Sequence, residues 1–382
     1  VPPWTFPYAI PAGGVLSSLA AGNSVILMPA PETVATAWLL VSQLWRAGVP
    51  RDVLQFVPTR DDEVGQHLVT HPDVSGVILT GSWATARLFT LWRPDLRLMA
   101  ETSGKNALLI SATADIDAAV KDLVASAFGH AGQKCSAASL AIVEASIHDN
   151  PAFLRQLRDA VTTEVVGAGT DPATVIGPVI RPAEGPLERA LTTLEPGESW
   201  LVVPRKLDRT GHLWSPGVKL GVQPGSWTHL TEWFGPVLGV MRAPDLDTAI
   251  TWQNAVDYGL TAGIHALDAD ECETWIERIE AGNVYVNRGT TGAVVNRQPF
   301  GGWKKSSVGP NAKAGGENYV ACLRDWAPGE AALSNDDVQR WWSDVGGTAR
   351  DLTGLTVERN LVRYRPMGRP ILVRVDAETR SE

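Results

Sequence analysis

The strongest constraint on the fold of this sequence is an alternation in its first hundred residues, where short apolar runs take turns with segments patterned at helical spacing. Gly13 to Ala21 holds small and apolar residues that suit a closely packed helix, and Asn23 to Leu27 reads as a buried strand ended by Met28-Pro29. Thr33 to Ala47 carries Val34, Ala37, Trp38, Val41 and Leu44 on one helical face and stops at Gly48-Val49-Pro50. The cycle continues with strand Val53 to Val57, helix Glu63 to Thr70, strand Gly76 to Thr80, helix Ser82 to Leu91 and strand Arg97 to Glu101. Short apolar strands joined by helices predict a doubly wound, Rossmann-like parallel sheet with right-handed crossovers, buried on both faces. Such sheets take ligands beyond the carboxyl ends of their strands, where Thr80-Gly81-Ser82 and Glu101-Thr102-Ser103-Gly104 fall.

A second α/β stretch runs from Asn106 to about residue 296. Strands are predicted at Ala107 to Ile110, Leu140 to Val143 and Val237 to Met241, and helices at Ile116 to Phe128, Asn150 to Glu164, Leu246 to Gln253 and Ala269 to Ile279. Gly167 to Gly225, rich in Pro, Gly and charge, reads as long surface excursions. After Gln298-Pro299-Phe300-Gly301-Gly302 a polar Gly/Lys stretch leads to a last segment in which Leu361 to Tyr364 and Ile371 to Val375 look like short strands. The expected division is residues 1–104, a dinucleotide-binding part; 105–302, a second α/β part; and 303–382, a C-terminal extension serving oligomerisation.

Composition excludes several classes. The 382 residues suffice for two or three domains, and the three cysteines show no metal-ligand or disulfide spacing, which points to a reducing, cytoplasmic setting. No apolar run approaches the ~18 residues of a membrane span. A net charge of −9 without a Lys/Arg cluster argues against nucleic acid as a partner. The first residues, Val1-Pro2-Pro3-Trp4, lack an initiator Met and a signal pattern and read as the interior of a longer chain.

A thiol nucleophile needs an activating environment, a base for a later water, and donors for the oxyanion it generates. Cys135 sits among small residues in Gly129-His130-Ala131-Gly132-Gln133-Lys134-Cys135-Ser136-Ala137, with Lys134 beside it, and is either such a nucleophile or a buried structural residue. Cys272 and Cys322 lack that surrounding. Glu101, at the end of an apolar strand, is either a functional base or half of an ion pair with Lys105.

The ordered set of motifs is more specific than any part. Pro3-Trp4-Thr5-Phe6-Pro7, Thr80-Gly81-Ser82, Glu101-Thr102-Ser103-Gly104-Lys105-Asn106, Gly132-Gln133-Lys134-Cys135, Glu232-Trp233-Phe234-Gly235-Pro236 and Pro299-Phe300-Gly301-Gly302 occur in sequence, with 34 residues from Glu101 to Cys135 and 97 from Cys135 to Glu232. This resembles the aldehyde dehydrogenase superfamily along about residues 1 to 325. The wording of Ser126 to Ala137, of Asn283 to Arg288 with Thr291 to Val295, and of Gln298 to Lys304 is most similar to the Δ1-pyrroline-5-carboxylate (L-glutamate γ-semialdehyde) dehydrogenases. That group includes the C-terminal part of bifunctional proline-utilisation proteins, which the Arg363-Tyr364-Arg365-Pro366 tail also resembles.

The resemblance implies NAD-dependent oxidation of a carboxylate-bearing aldehyde, in proline catabolism, by a homo-oligomer or part of a larger bifunctional protein. Cys135 would attack the aldehyde, Glu101 would activate water against the resulting thioester, and Thr5 would stand at an oxyanion position. Glu32, Thr80, Gly81, Ser82, Thr102, Glu232, Phe234 and Phe300 would contact NAD. Ser136 with the N–H groups of Gly292 and Ala293 would hold the substrate carboxylate, and no metal is implied. Three departures weaken this expectation. Thr5 replaces the family's Asn donor, and losing one such donor costs about 2.7–4 kcal/mol. Met28 replaces a Lys that contacts the adenosine ribose, so weaker NAD binding is expected, and family members carry well over a hundred residues before the first motif. A non-catalytic domain of the same fold with an assembly role, and an enzyme for another acidic semialdehyde, are the alternative readings.

Overall fold

A computed structural model describes every residue except 61, 295–296, 311, 328–333 and 367–382. Residues 1–293 with 299–324 make one compact unit, and 294–298 with 325–382 another.

In the first unit the predicted alternation is present. Helix α1 (Ala9–Ala20) leads to β1 (Val25–Leu27), α2 (Val34–Arg46) and β2 (Leu54–Phe56), and β1 pairs with β2 in parallel. Val15, Leu27, Ala37, Leu40, Val41 and Leu54 fill the core between them. Helix α3 (Glu63–Thr70) starts at Asp62, whose carboxylate accepts from the Val64 and Gly65 N–H groups. Strand β3 (Val77–Thr80), α4 (Trp83–Trp92) and β4 (Leu98–Glu101) follow, with Thr80 beside Glu101 in a parallel pair. Among the described residues these four strands form two separate parallel pairs instead of one continuous sheet. The free edge of β3 takes only Val1, which donates to the Ile78 carbonyl and accepts from the Thr80 N–H, and Val1 and Met28 pack on the β3–β4 core.

The next segments are β5 (Asn106–Ile110), α5 (Ile116–Phe128), β6 (Ala138–Glu144), α6 (Ala145–His148) and α7 (Pro151–Thr162). After them come α8 (Gly185–Thr192), β7 (Ser199–Val202), β8 (Gly217–Leu220), α9 (Trp227–Leu230), β9 (Val237–Ala243) and α10 (Leu246–Asn254). Strands β10 (Tyr258–Gly259) and β11 (Thr261–His265), helix α11 (Ala269–Arg278) and β12 (Asn283–Val286) complete this stretch. Seven strands join in the order β12-β11-β5-β6-β9-β8-β7, parallel throughout except for the antiparallel β7–β8 pair. Apolar clusters cover both faces, one built on α5 and α7 and the other on α10 and α11.

Two sequence expectations need correction. Gly167 to Gly225 is not only surface excursion, because it supplies α8, β7 and β8 to the body of the unit. A charge conceals β8 from pattern reading: Lys219 is fully buried in the strand, 3.4 Å from Glu198 and donating to the Thr193 carbonyl at 2.6 Å. The polar stretch after Gly302, assigned above to the extension, belongs to the first unit through residue 324. There β13 (Trp303–Lys304) pairs antiparallel with β10, and β14 (Ser307–Val308) pairs antiparallel with β4, setting Ser307 opposite Glu101.

In the second unit α12 (Asn335–Trp341) is closed by a reciprocal cap between Ser334 and Asp337, and β15 (Arg350–Asp351) pairs with β16 (Leu361–Val362). The predicted strand at Ile371 to Val375 lies outside the described residues. Among the described residues no helix is long and apolar enough to cross a membrane.

Candidate active site

The loop between α5 and β6 carries Cys135, and its backbone is unusual. His130, Ala131 and Gly132 lie consecutively in the left-handed region, with φ of 63°, 55° and 67°. Each such residue with a Cβ costs roughly 1–2 kcal/mol, so the turn persists only because its surroundings hold it. At Gly132 a Cβ would stand 2.3 Å from the Gly235 carbonyl oxygen, a distance only glycine accommodates. The Asn106 amide donates to the carbonyls of Cys135 at 2.7 Å and Ala137 at 2.9 Å, while its oxygen accepts from the Thr261 N–H. Gln133 bridges outward, donating to the Phe234 carbonyl and accepting from the Ile180 N–H.

Burial pushes the Cys135 thiol up to about 12, reinforced by the Glu101 and Glu232 carboxyls and opposed by the N–H groups of Ser136 and Cys135 itself. Lys134 is not among the groups acting on it. Glu101, at the carboxyl end of β4, is raised to about 8 by burial and held down by Lys313, and its Oε1 is buried without a hydrogen-bond partner. The anticipated pairing of Glu101 with Lys105 does not form. Lys105 instead lies 3.2 Å from the centroid of the Trp233 ring, and burial pushes its ammonium well down while Glu232 opposes this. Glu232 is also raised by burial, its Oε1 accepts from the Gly104 N–H at 2.9 Å, and it bonds to Ser103. The site is therefore a dry cluster in which acids are held toward neutrality.

Comparison with known proteins identifies the constellation. The family profile described as "Aldehyde dehydrogenase family" matches residues 1–324. The chain belongs to the aldehyde dehydrogenase family. It is 38% identical over 340 residues to the 1-pyrroline-5-carboxylate dehydrogenase of Staphylococcus epidermidis, a match covering 84% of this chain and 63% of that protein. The chain thus spans less than two thirds of the length of the curated relatives it matches. The structure of proline utilization A (PutA) from Corynebacterium freiburgense superposes with a TM-score of 0.90 at 49% identity, covering 96% of this chain and 40% of that one. That of a Thermus 1-pyrroline-5-carboxylate dehydrogenase with bound NAD gives a TM-score of 0.78 at 33% identity, covering 84% and 63%.

The remaining residues assigned from the family resemblance are placed as follows. Thr5 is buried in a segment fastened at both ends, with Trp4 edge-on to Phe234 at 5.6 Å and Phe6 stacked on His130 at 5.8 Å. Ser82 caps α4, accepting from the Thr85 N–H, and the Gly81 N–H donates to the Glu101 carbonyl. Glu32 forms an ion pair with Arg181, and its Oε2 is buried without a hydrogen-bond partner. The Thr102 hydroxyl is committed to the Lys305 carbonyl, so it secures β14 and is not free for a ligand. Phe300 exchanges both backbone bonds with Ala314. Ser136 is buried, and its carbonyl accepts from the Thr290 hydroxyl at 2.9 Å, tying it to the turn where Gly292 (φ +86°) and Ala293 are exposed.

Reading the sequence missed Ser103, Asn106, Gln133 and Lys313 as members of this cluster. Ser103, Asn106 and Gln133 lie inside quoted motifs, where a side chain among backbone-bonding small residues was the available signal. Lys313 had none. Replacing Asn106 by Ala leaves buried carbonyls of Cys135 and Ala137 without donors and should lower stability by about 1–3 kcal/mol. Denaturant unfolding checks this; a midpoint equal to wild type would refute it.

Proposed function

We propose that this chain oxidises L-glutamate γ-semialdehyde to L-glutamate with NAD, as a dehydrogenase module of proline catabolism that works as a homo-oligomer or within a larger bifunctional protein. The observation that carries the reading is the burial of a thiol, Cys135, in one water-poor cluster with the unpartnered carboxyl of Glu101. The likeness to relatives named for that reaction, and to PutA structures, supports the substrate and the setting.

The residues fit a dinucleotide. The buried, unpartnered Glu32 Oε2 is an acceptor suited to ribose hydroxyls, and the N-terminus of α4 at Ser82, beside Thr80 and Gly81, suits a pyrophosphate. Glu232, oriented by the Gly104 N–H and Ser103, is a second ribose acceptor, and Phe234 and Phe300 would flank the ring. When bound, NAD supplies the hydride acceptor. On the protein side, the Cys135 sulfur bonds to the aldehyde carbon while ionised Glu101 takes the thiol proton, and the carbonyl oxygen becomes an oxyanion near the Thr5 segment. Loss of hydride leaves a thioester on Cys135. Glu101 then takes a proton from water, whose oxygen bonds to the acyl carbon as the carbon–sulfur bond breaks, releasing the acid and restoring the thiol. The Ser136 hydroxyl and the Gly292 and Ala293 N–H groups would receive the substrate carboxylate.

The experiment is a rise in reduced-nicotinamide absorbance with glutamate semialdehyde, compared with an aldehyde of equal length lacking the α-amino-carboxylate. A tenfold or larger preference for the carboxylate-bearing substrate is expected, on the order of 1.4 kcal/mol in transition-state binding. Equal rates would overturn the substrate, and absence of any Cys135-dependent signal would overturn the enzyme.

A further inference from the structure

Lys313 is the one cation that acts on Glu101, and its amine is engaged on three sides. Its Nζ donates to the Gly301 carbonyl at 2.9 Å, to Asn283 Oδ1 at 3.0 Å and to the Gly282 carbonyl. Asn283 completes a ring of contacts, its oxygen accepting from the Gly301 N–H at 3.0 Å and its amide donating to the Pro299 carbonyl at 3.0 Å. Next to Lys313, Ala314 exchanges two backbone bonds with Phe300. Three titratable groups face Glu101: Lys313, Cys135 from the α5–β6 loop, and Tyr319. Cys135 and Tyr319 become anionic when they ionise, so Lys313 is the member that can favour an ionised Glu101.

We propose that Lys313 is a positioning residue for Glu101, pinning Gly282, Asn283 and Gly301 together while presenting its positive charge to the carboxyl at the end of β4. The proposal rests on the reading of Glu101 as the base. A neutral ammonium substitute that keeps N–H donors would preserve the pin and lose the charge, which separates the two parts of the role. Burial pushes Lys313 itself down to about 8, with Glu101 opposing, so the partners stabilise each other's charge. Because Glu101 acts ionised, thioester hydrolysis rises with pH through its midpoint near 8.

The test is an infrared titration of the full chain, with the protonated carboxyl band of Glu101 assigned by its loss in Glu101→Gln. Wild type should titrate near 8. Lys313→Gln should move the midpoint up by about 1–3 units, and the rising limb of hydrolysis with it, while Lys313→Arg restores both. A folded Lys313→Gln chain with an unmoved midpoint would overturn the proposal, as would an equal rise in Lys313→Arg. If Lys313→Gln does not fold, NMR titration of the Lys313 ε-carbon in Glu101→Gln decides it. The midpoint should fall below that of wild type, and an unchanged one overturns the proposal. Neither spectroscopic readout needs turnover, so failure of the enzymatic reading and failure of this proposal give different results.

Discussion

Cys135→Ala should remove aldehyde oxidation, with kcat falling on the order of a millionfold, the loss that follows deletion of a nucleophile acting within a unit. The fold gives this variant a clean meaning. Asn106 holds the loop through the Cys135 carbonyl, not its thiol, and the left-handed turn is set by residues 130–132, so the substitution leaves both devices in place. Reduced-nicotinamide absorbance should therefore vanish while the unfolding midpoint stays near that of wild type. Turnover within tenfold of wild type would remove Cys135 from the chemistry.

Gly132→Ala should damage stability and reactivity together. The added methyl meets the Gly235 carbonyl carbon at 2.6 Å and the Ala127 carbonyl oxygen at 2.9 Å, besides the Gly235 oxygen, and all three are backbone atoms that cannot swing aside. The left-handed conformation alone costs about 1–2 kcal/mol, and relief of the clash requires the loop to withdraw from the turn bearing Glu232. Denaturant unfolding and the rate of Cys135 alkylation measure the two effects. An alanine variant with unchanged stability and an unchanged alkylation rate would mean that the loop is not held against Gly235.

How far the site was legible depended on whether a residue's role was local. Glu101, Cys135 and Glu232 stood out because motifs of small residues surround them at set intervals, and the helices with well-formed caps, such as α3, matched their predicted bounds. The strands of the seven-stranded sheet were harder. In β8 a buried Lys219 breaks the apolar pattern, because its charge is met by Glu198, twenty-one residues earlier in the chain. Lys105 was misjudged for the opposite reason: Glu101 is close in sequence, yet the ammonium turns to the Trp233 ring. Lys313 was invisible, since its acceptors come from Gly282, Asn283 and Gly301 and nothing in its own neighbourhood announces them.

The pairing of Ser307 with Glu101 also bears on the order in which the site comes into being. Thr102 bonds to the Lys305 carbonyl and Ser306 to the Ser103 carbonyl, each across 203 residues of chain. During synthesis, the strand that carries the acid leaves the ribosome long before its partner exists. The nucleophile loop can close on β5 and β6 meanwhile through Asn106. Completion of the acid's surroundings is thus a late event with a large loop-closure cost, so newly made chains pass through a stage in which the thiol is placed but its base is not.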